Sequence, residues 1–218
     1  MSKRCYIAGA GEYCENILPK ADDYVIAADN GYTALLSHEI TPDMIIGDFD
    51  SLHPDLMDTL SKHPNVIKSP AEKDDTDMML AVKQGLKLGF KTFIINGGLG
   101  GRLDQTLANM QILVNIAEND ARGILVGNTA CATAVRNDEI MFATSATQGR
   151  TISIFSAGDM AEGVTLKGLK YPLNNATLTK DDPIGVSNEF TDTPAVVSVE
   201  NGTLLIIWDG GPEVLCET

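Results

Sequence analysis

The sequence has little positive charge. Lys and Arg together number 16, against 30 Asp and Glu residues, which gives the 218 residues a formal net charge of −14. It also has no run of Lys and Arg that could follow a phosphate backbone, which argues against nucleic acids and anionic membranes as partners. An acidic protein that handles phosphates would have to do so locally, with a metal ion and one or two basic side chains.

The sequence also lacks clustered cysteines and long apolar runs. Its four cysteines are far apart, with no Cys-x-x-Cys pair and no histidine cluster beside them, so neither a zinc site nor a disulfide framework is supported. No apolar run approaches the ~18 residues of a membrane span, and the N-terminus carries no apolar stretch of signal-peptide length. We therefore expect a cytoplasmic protein.

The first half of the chain alternates short apolar runs with stretches of helical periodicity. The runs predict strands at residues 5–8, 24–28, 44–46, 65–68 and 92–96. The clearest helical patterns lie at residues 78–86 and 103–116. Continuous apolar strands alternating with helices predict a parallel sheet covered on both faces. We expect a Rossmann-like α/β domain over residues 1–122.

From about Asp120 the pattern changes to short runs rich in β-branched and aromatic residues. These predict strands at residues 123–126, 151–155, 163–166, 195–199 and 203–208. Turn clusters such as Asn174-Asn175 separate them, and Asn201-Gly202 predicts a hairpin between the last two. No long helical pattern remains, so we expect an all-β sandwich domain over residues 123–218.

The stretch from Gly47 to Ser51 joins a turn glycine to two carboxylates. Asp48 and Asp50 follow the third predicted strand directly and are two residues apart. Mg²⁺ prefers oxygen ligands and is commonly bound by one or two carboxylates together with substrate phosphates. The alternative is an ordinary acidic turn, in which Asp50 or Ser51 caps the helix that begins near Pro54.

A second acidic stretch, residues 72–77, opens the helix that begins near Met78. Acidic residues and an Asp or Thr cap are favoured in a first helical turn, which is the structural explanation. Three aspartates within four positions exceed what a cap requires, and they repel one another unless a cation neutralises them. Asp77 could therefore complete a cation site with Asp48 and Asp50.

Small and polar residues follow the other predicted strands. They are Gly9 and Gly11, Asp29 and Asn30, and the glycine-rich stretch 97–101. Ligands of parallel α/β sheets bind at the carboxyl ends of the strands, which predicts a functional edge here. The glycine-rich loop leads into a helix next to Arg102, a combination suited to polyphosphate binding, although it is neither a Walker A loop nor Gly-x-Gly-x-x-Gly. For Gly9-Ala10-Gly11 alone a structural role is favoured.

Several of these stretches together resemble the thiamine pyrophosphokinase family. They lie in the family's order and spacing at residues 28–31, 47–51, 73–77 and 97–105. Their sequences are Ala-Asp-Asn-Gly, Gly-Asp-Phe-Asp-Ser, Lys-Asp-Asp-Thr-Asp and Gly-Gly-Leu-Gly-Gly-Arg-Leu-Asp-Gln. Residues 168–171 and 186–188 resemble segments of the family's second domain, so the resemblance covers nearly the whole chain.

The resemblance implies a nucleotide-binding α/β domain followed by a β-sandwich, working as a homodimer. It implies transfer of the pyrophosphoryl group of ATP to the hydroxyl of thiamine, with Mg²⁺ as cofactor and with AMP and thiamine diphosphate as products. Asp48, Asp50 and Asp77 correspond to the metal and catalytic carboxylates. The residues expected at ATP and its phosphates are Asp29, Asn30, Asp74, Gly98, Arg102, Asp104 and Gln105. Those expected to receive thiamine, across the dimer interface, are Tyr171, Ser187 and Asn188.

The residues of the first half alone would also suit related activities. Another Mg²⁺-dependent phosphotransferase or nucleotide hydrolase could use the same sheet edge, and a non-catalytic module could hold a nucleotide or thiamine without turnover. Phosphoryl transfer needs positioning and charge neutralisation more than covalent help. Our hypothesis is that one of Asp48, Asp50 and Asp77 also accepts the proton of the attacking hydroxyl.

Overall fold

The structure is a computed structural model, and it describes residues 3–50, 54–69, 74–143 and 149–216. The fold is mixed α/β, with a large sheet and a separate antiparallel sheet. The chain divides into two compact units, the first Met1–Ile112 with Leu125–Gly127 and the second Leu113–Ile124 with Asn128–Thr218. Ser51 and Lys73, which belong to two of the motifs, lie outside the described residues. The boundary expected between residues 122 and 123 stays a prediction.

Parallel strands form the sheet of the first unit, in the order β5-β1-β2-β3-β4. They are β1 (Cys5–Ala8), β2 (Tyr24–Ala28), β3 (Met44–Gly47), β4 (Val66–Lys68) and β5 (Thr92–Asn96). Every residue of β1 is buried, and β2 and β5 are buried after their first residue. Burial on both faces explains the continuous apolar runs, because neither side of these strands meets water. The strands predicted in this half are confirmed.

The helices of this half connect the strands. They are α1 (Gly31–Ser37), α2 (Pro54–Lys62), α3 (Asp77–Lys87) and α4 (Leu103–Glu118). In α4 the helical periodicity is confirmed, but its first two leucines do not join the core, since Leu103 is 82% and Leu107 is 61% exposed. The buried side of α4 begins further along, with Ile112, Leu113 and Ile116.

The second unit is built from antiparallel strands in two sheets. Its elements are β7 (Ala130–Arg136), β8 (Glu139–Phe142), β9 (Thr151–Ser156), β10 (Met160–Lys167), β11 (Leu173–Thr179), β12 (Asn188–Glu189), β13 (Ala195–Ser198), β14 (Thr203–Asp209) and a 3-10 helix (Pro212–Val214). The sheet orders are β12-β9-β14-β7 and β11-β10-β13-β8. A further strand, β6 (Arg122–Val126), is divided between the two units. The expectation of β structure without a long helix is confirmed for the described residues after 122.

Two turn predictions in this half are wrong. Asn174 and Asn175 lie inside β11 instead of a turn. Asn201-Gly202 does not close a hairpin, because β13 pairs with β10 and β8 while β14 pairs with β7 and β9 in the other sheet. Asn201 instead exchanges backbone hydrogen bonds with Glu162, and the Gly202 N–H donates to the side chain of Asn137. The Asn-Gly pair therefore carries the chain from one sheet to the other.

Aromatic side chains join the two sheets inside the second unit. Phe142 of β8 lies edge-on to Trp208 of β14, with ring centroids 5.5 Å apart, and 5.3 Å from the ring of Phe190. All three side chains are at most 3% exposed. The indole N–H of Trp208 is satisfied by the Gly211 carbonyl at 3.1 Å, so its burial leaves no unpaired donor.

The four cysteines form no disulfide cross-link. Cys5, Cys14 and Cys131 are buried, and Cys216 is partly exposed. Burial, with the nearby charges of Asp23 and Asp43, raises the pKa of the Cys5 thiol to about 12, so this group stays protonated at neutral pH. None of the helices in the described ranges has both the length and the apolar character to cross a membrane.

A buried amide at the end of β5 fixes the loop that follows β1. The Asn96 side chain is fully buried; its oxygen accepts from the Cys14 N–H at 2.8 Å, and its nitrogen donates to the carbonyls of Cys14 and Ile17. The same nitrogen lies 2.9 Å from the hydroxyl of Tyr6, which in turn hydrogen-bonds to Tyr13. Such a satisfied buried network specifies one loop conformation.

We expect replacement of Asn96 by alanine to lower the free energy of unfolding by at least about 2 kcal/mol, because it removes several buried hydrogen bonds and leaves the buried Cys14 N–H without its partner. Urea denaturation measures the change. Asn16→Ala, an exposed site in the same loop, should alter it by less than about 0.5 kcal/mol. Equal losses in the two variants would contradict this role of the network.

Candidate active site

The polar residues expected at the functional edge do follow the carboxyl ends of neighbouring strands. Asp29 comes directly after β2 and Asp48 after β3, and the Asp29 N–H donates to the Ile46 carbonyl at 2.7 Å. Likewise the N–H of Ser69, next after β4, donates to the Gly47 carbonyl at 3.0 Å. Backbone pairing thus continues one residue beyond the strands, which fixes the starting point of each loop.

The acidic turn after β3 is shaped by Phe49. This residue has a φ of +64°, an uncommon conformation for a bulky side chain, and its ring is only 4% exposed. Asp48 on one side is half-buried and Asp50 on the other is exposed. An oxygen of Asp48 accepts from the Asp50 N–H at 3.0 Å. The buried ring anchors the turn, so that both carboxylates stay at the sheet edge.

Gly47 allows this turn to pack against the end of β2. A Cβ at Gly47 would lie 3.0 Å from the Cα of Asp29 and 3.1 Å from the ring of Phe49. Asp29 itself has a φ of +50°, and the side-chain oxygen of Asn30 accepts from the Thr33 hydroxyl at 2.7 Å. The two loops are therefore in close contact, as the parallel pairing of β2 and β3 requires.

The third aspartate, Asp77, is the first residue of α3. The Thr76 side chain caps this helix by accepting from the Met79 N–H at 3.1 Å. A carboxylate oxygen of Asp77 accepts from the hydroxyl of the buried Ser69 at 3.0 Å. Because Ser69 follows β4, this bond ties Asp77 to the same edge. Ser69 was not singled out from the sequence, although its position directly after a predicted strand was the signal.

The repulsion expected in the second acidic stretch is partly relieved inside the chain. Both carboxylate oxygens of Asp75 accept from the ammonium of Lys83, at 2.6 and 2.8 Å. Asp74, by contrast, lies exposed at the turn before α3. A bound cation is therefore not required to explain the charge of Asp75.

The predicted metal ligands are not drawn into a closed cluster. Among the described residues, no group of three or more His, Cys, Asp and Glu side chains is arranged to hold a metal ion. The donor chemistry of Asp48, Asp50 and Asp77 nevertheless suits Mg²⁺, which takes carboxylate oxygens and completes its shell with water and phosphate oxygens. One or two of these carboxylates are enough for such a site.

The glycine-rich loop after β5 has the backbone freedom that its sequence predicts. Gly97, Gly100 and Gly101 have φ values of +74°, +84° and +64°. Gly98 is buried, and its carbonyl accepts from the Asn109 side chain at 2.8 Å. This last bond anchors the loop to α4 and leaves the exposed turn at residues 100–101 facing solvent.

Gly9-Ala10-Gly11 packs against this loop, which confirms its structural role. The Gly11 N–H donates to the Gly97 carbonyl at 2.9 Å, and the Gly9 N–H to the Asn96 carbonyl at 2.7 Å. A Cβ at Gly9 or Gly11 would come within 2.8 Å of the Gly97 carbonyl oxygen. The contact needs glycine for close approach of the two backbones.

Arg102 and Asp104 pair with each other at the start of α4. The guanidinium donates to both carboxylate oxygens, at 3.1 and 2.5 Å, and both side chains are exposed. The hydrogen bond from Arg102 lowers the pKa of Asp104, and the same bond raises the pKa of Arg102. Both groups are therefore charged at neutral pH. Gln105 lies exposed beside them in the first turn of the helix.

A pocket of about 190 Å³ adjoins the acidic turn. Its walls come from Phe49, Met57, Leu60, Ser61, His63, Val66 and Lys68. The Nδ1 of His63 accepts from the Asn65 N–H at 3.2 Å, so the proton lies on Nε2 and is donated to the Pro42 carbonyl at 2.8 Å. In this tautomer both ring nitrogens are engaged, so His63 supports the structure and is not a candidate base.

The expected thiamine residues belong to the second unit, where two of them are bonded together. The Asn188 oxygen accepts from the Tyr171 N–H at 2.9 Å, and its nitrogen donates to the Tyr171 carbonyl at 2.7 Å. Asn188 is 3% exposed, whereas Tyr171 is 58% exposed. Ser187 is exposed with a φ of +57°. Asn188 therefore positions Tyr171 and has its own polar atoms occupied.

Two models of one protein family match the chain, in order. The model described as thiamin pyrophosphokinase, catalytic domain, matches residues 16–125. The model described as thiamin pyrophosphokinase, vitamin B1 binding domain, matches residues 138–204. The two matches fall in the α/β half and the β half of the chain respectively.

Individual relatives agree with these models. Thiamine pyrophosphokinase of Bacillus subtilis is 29% identical over 200 residues, which cover 88% of this chain and 93% of the relative. Its crystal structure superposes with a TM-score of 0.83 at 28% identity, covering 95% of this chain and 99% of the other. A 6-hydroxymethyl-7,8-dihydropterin pyrophosphokinase of Pyrococcus furiosus is 34% identical over 90 residues, 40% of this chain and 38% of that protein.

Proposed function

The chain belongs to the thiamin pyrophosphokinase family, and on this premise we propose that it transfers the pyrophosphoryl group of ATP to the hydroxyl of thiamine. The observation that carries the proposal is the presence, in one chain and in order, of the catalytic and vitamin B1 binding domains. A match to the first half alone would leave the acceptor open, since part of the chain is also similar to a pyrophosphokinase acting on a pterin.

The proposed reaction is an attack at the β-phosphorus of ATP. The thiamine hydroxyl oxygen forms a bond to the β-phosphorus. The bond between the β-phosphorus and the oxygen that bridges it to the α-phosphate breaks, and AMP leaves with that oxygen. The proton of the hydroxyl passes to one of Asp48, Asp50 and Asp77. Residues 1–122, in this proposal, form the Rossmann-like catalytic domain and residues 123–218 the sandwich that binds thiamine, in a cytoplasmic homodimer.

The ATP phosphates are assigned to the glycine-rich loop and its surroundings. Backbone amides of a loop that leads into a helix attract anions, and the guanidinium of Arg102 offers a planar set of donors to phosphate oxygens. Asp104 holds Arg102 by two hydrogen bonds and so orients it. The further residues of this shell are Asp29, Asn30, Asp74, Gly98 and Gln105.

Asp48, Asp50 and Asp77 are assigned to Mg²⁺. Two observations support this assignment. All three side chains are carboxylates, the ligands that Mg²⁺ prefers. Asp48 and Asp50 follow β3, and Asp77 is hydrogen-bonded to Ser69, which follows the adjacent strand β4. When bound, Mg²⁺ neutralises negative charge on the phosphate oxygens during transfer. The aspartates themselves would hold the metal ion in place, and one of them would accept the proton of the attacking hydroxyl.

Thiamine is assigned to Tyr171, Ser187 and Asn188. Thiamine carries a cationic thiazolium ring, and an exposed aromatic face attracts such a cation. The Tyr171 ring now has the ammonium of Lys170 at 5.5 Å from its centroid, so its face already accepts positive charge. Asn188 contributes by holding the Tyr171 backbone through both of its amide atoms.

Incubation of the protein with ATP, Mg²⁺ and thiamine should yield AMP and thiamine diphosphate in equal amounts, and neither product without thiamine. Chromatography of the nucleotides and thiamine esters measures both. Formation of ADP with thiamine monophosphate would contradict attack at the β-phosphorus. Turnover of ATP that does not depend on thiamine would instead favour a nucleotide hydrolase on the same fold, and binding without turnover a non-catalytic module.

Single replacements of Asp48, Asp50 and Asp77 by asparagine should each lower kcat by at least about 100-fold, because each removes a charge that stabilises the transition state. The amide keeps the size of the side chain, so the fold should be retained, as circular dichroism can establish. Asp58→Asn removes an exposed carboxylate from α2 and should leave kcat unchanged. Near-normal kcat in all three variants would refute the assignment.

Tyr171→Ala should raise the KM for thiamine by about tenfold, which corresponds to the ~1.4 kcal/mol of one moderate cation–aromatic contact. The KM for ATP should not change, since the ring is assigned to thiamine only. Tyr171→Phe keeps the aromatic face and serves as the matched control, with a KM near that of the unmodified protein. An unaltered thiamine KM in the alanine variant would exclude Tyr171 from the site.

A further inference from the structure

The glycine-rich loop already binds an anion that belongs to the chain. A carboxylate oxygen of Glu12 accepts from the Gly101 N–H at 3.0 Å. The same carboxylate lies directly over Gly100, where a Cβ would come within 2.6 Å of its carbon and of one oxygen. The absence of a side chain at Gly100 thus makes room for the carboxylate. Among the amides of this loop, the one at Gly101 is occupied by a negatively charged group.

The position of Glu12 is fixed from both sides along the chain. The Gly11 N–H before it donates to the Gly97 carbonyl at 2.9 Å, and the Cys14 N–H after it donates to the buried Asn96 side chain at 2.8 Å. These bonds join the loop after β1 to the loop after β5. Glu12 is consequently presented to Gly101 by the backbone, and its contact does not depend on other exposed side chains.

A phosphate oxygen and the Glu12 carboxylate would compete for the same donor. A backbone amide has a single hydrogen, and two anions at one amide also repel each other. Glu12 is exposed, so it can exchange the Gly101 contact for water at little cost. The Glu12 carboxylate can therefore be replaced at the Gly101 N–H by an anion that binds there more strongly.

We propose that Glu12 is an internal competitor of ATP, which occupies the Gly101 amide in the free protein and is displaced when the phosphates bind. It therefore reduces the affinity for ATP without taking part in the transfer. This inference rests on the proposed function, because it takes the glycine-rich loop as the phosphate site. The opposite role, a brace that keeps the loop in shape for ATP, would require Glu12 to strengthen ATP binding.

The sign of the change in ATP affinity separates these roles. Glu12→Gln keeps an oxygen that can accept from the Gly101 N–H but removes the charge, and Glu12→Ala removes the acceptor as well. We expect the Kd for Mg²⁺-ATP, measured by calorimetry without thiamine, to fall about threefold in the first variant and about tenfold in the second. The KM for ATP should follow, while kcat and the KM for thiamine stay unchanged.

Glu15→Gln is the matched control, because it removes the same charge three positions further along the same loop. A carboxylate oxygen of Glu15 lies 2.6 Å from Nε2 of His38, whereas Glu12 contacts the glycine-rich loop. Its replacement should leave the Kd for Mg²⁺-ATP unchanged. An equal fall in this variant would mean that only the net charge matters, and would overturn the inference.

A rise in the ATP Kd, or no change, in both Glu12 variants would also overturn it. Its failure can be distinguished from failure of the proposed function. If the unmodified protein binds Mg²⁺-ATP but makes no thiamine diphosphate, the proposed reaction fails and the role of Glu12 is still decided by the Kd values. If the protein binds no Mg²⁺-ATP at all, both fail.

Discussion

The buried amide of Asn96 is the contact on which the candidate phosphate site depends. It stands at the end of β5 and binds the backbone of the loop that follows β1, at Cys14 and Ile17. Because the Cys14 N–H is buried, losing its bond to the Asn96 oxygen would leave a polar group without water or partner. The loop after β1 and the glycine-rich loop are consequently held together, and the conformation of one is set by the other.

The polar groups at the sheet edge are mostly engaged with partners from the chain itself. Arg102 pairs with Asp104, Asp77 accepts from Ser69, and the Gly101 amide holds Glu12. Of these contacts, those of Arg102 and Gly101 are exposed, where a hydrogen bond or ion pair contributes little net stability. The contacts of Arg102 and Gly101 orient these two donors, and a charged ligand can replace Asp104 or Glu12 as their partner.

Local pattern located the strands of the α/β half and was misleading in places for the β half. Parallel strands buried on both faces leave a continuous apolar signal, and β1, β2 and β5 were recognised with their observed bounds. By contrast, β7, β8 and β11 were not predicted. Only two residues of β11 are apolar besides its alanine, so its strand character comes from pairing with β10. The Asn-Gly signal at residues 201–202 failed because a hairpin needs the flanking strands to pair, and here they belong to different sheets.

By itself the sequence determined the order of elements, the chemistry of the edge and, through its motifs, the family. These features depend on residue types and spacings within short stretches of sequence. An aspartate that follows an apolar run stands at the end of a strand, whatever position that strand takes in the sheet. Tertiary structure alone decided which side chains meet. Asp77 binds Ser69 across the connection from β4 to α3, and Glu12 reaches Gly101 across 89 positions of sequence. No periodicity encodes the latter contact, because it exists only when β1 and β5 are adjacent and their loops have closed on each other.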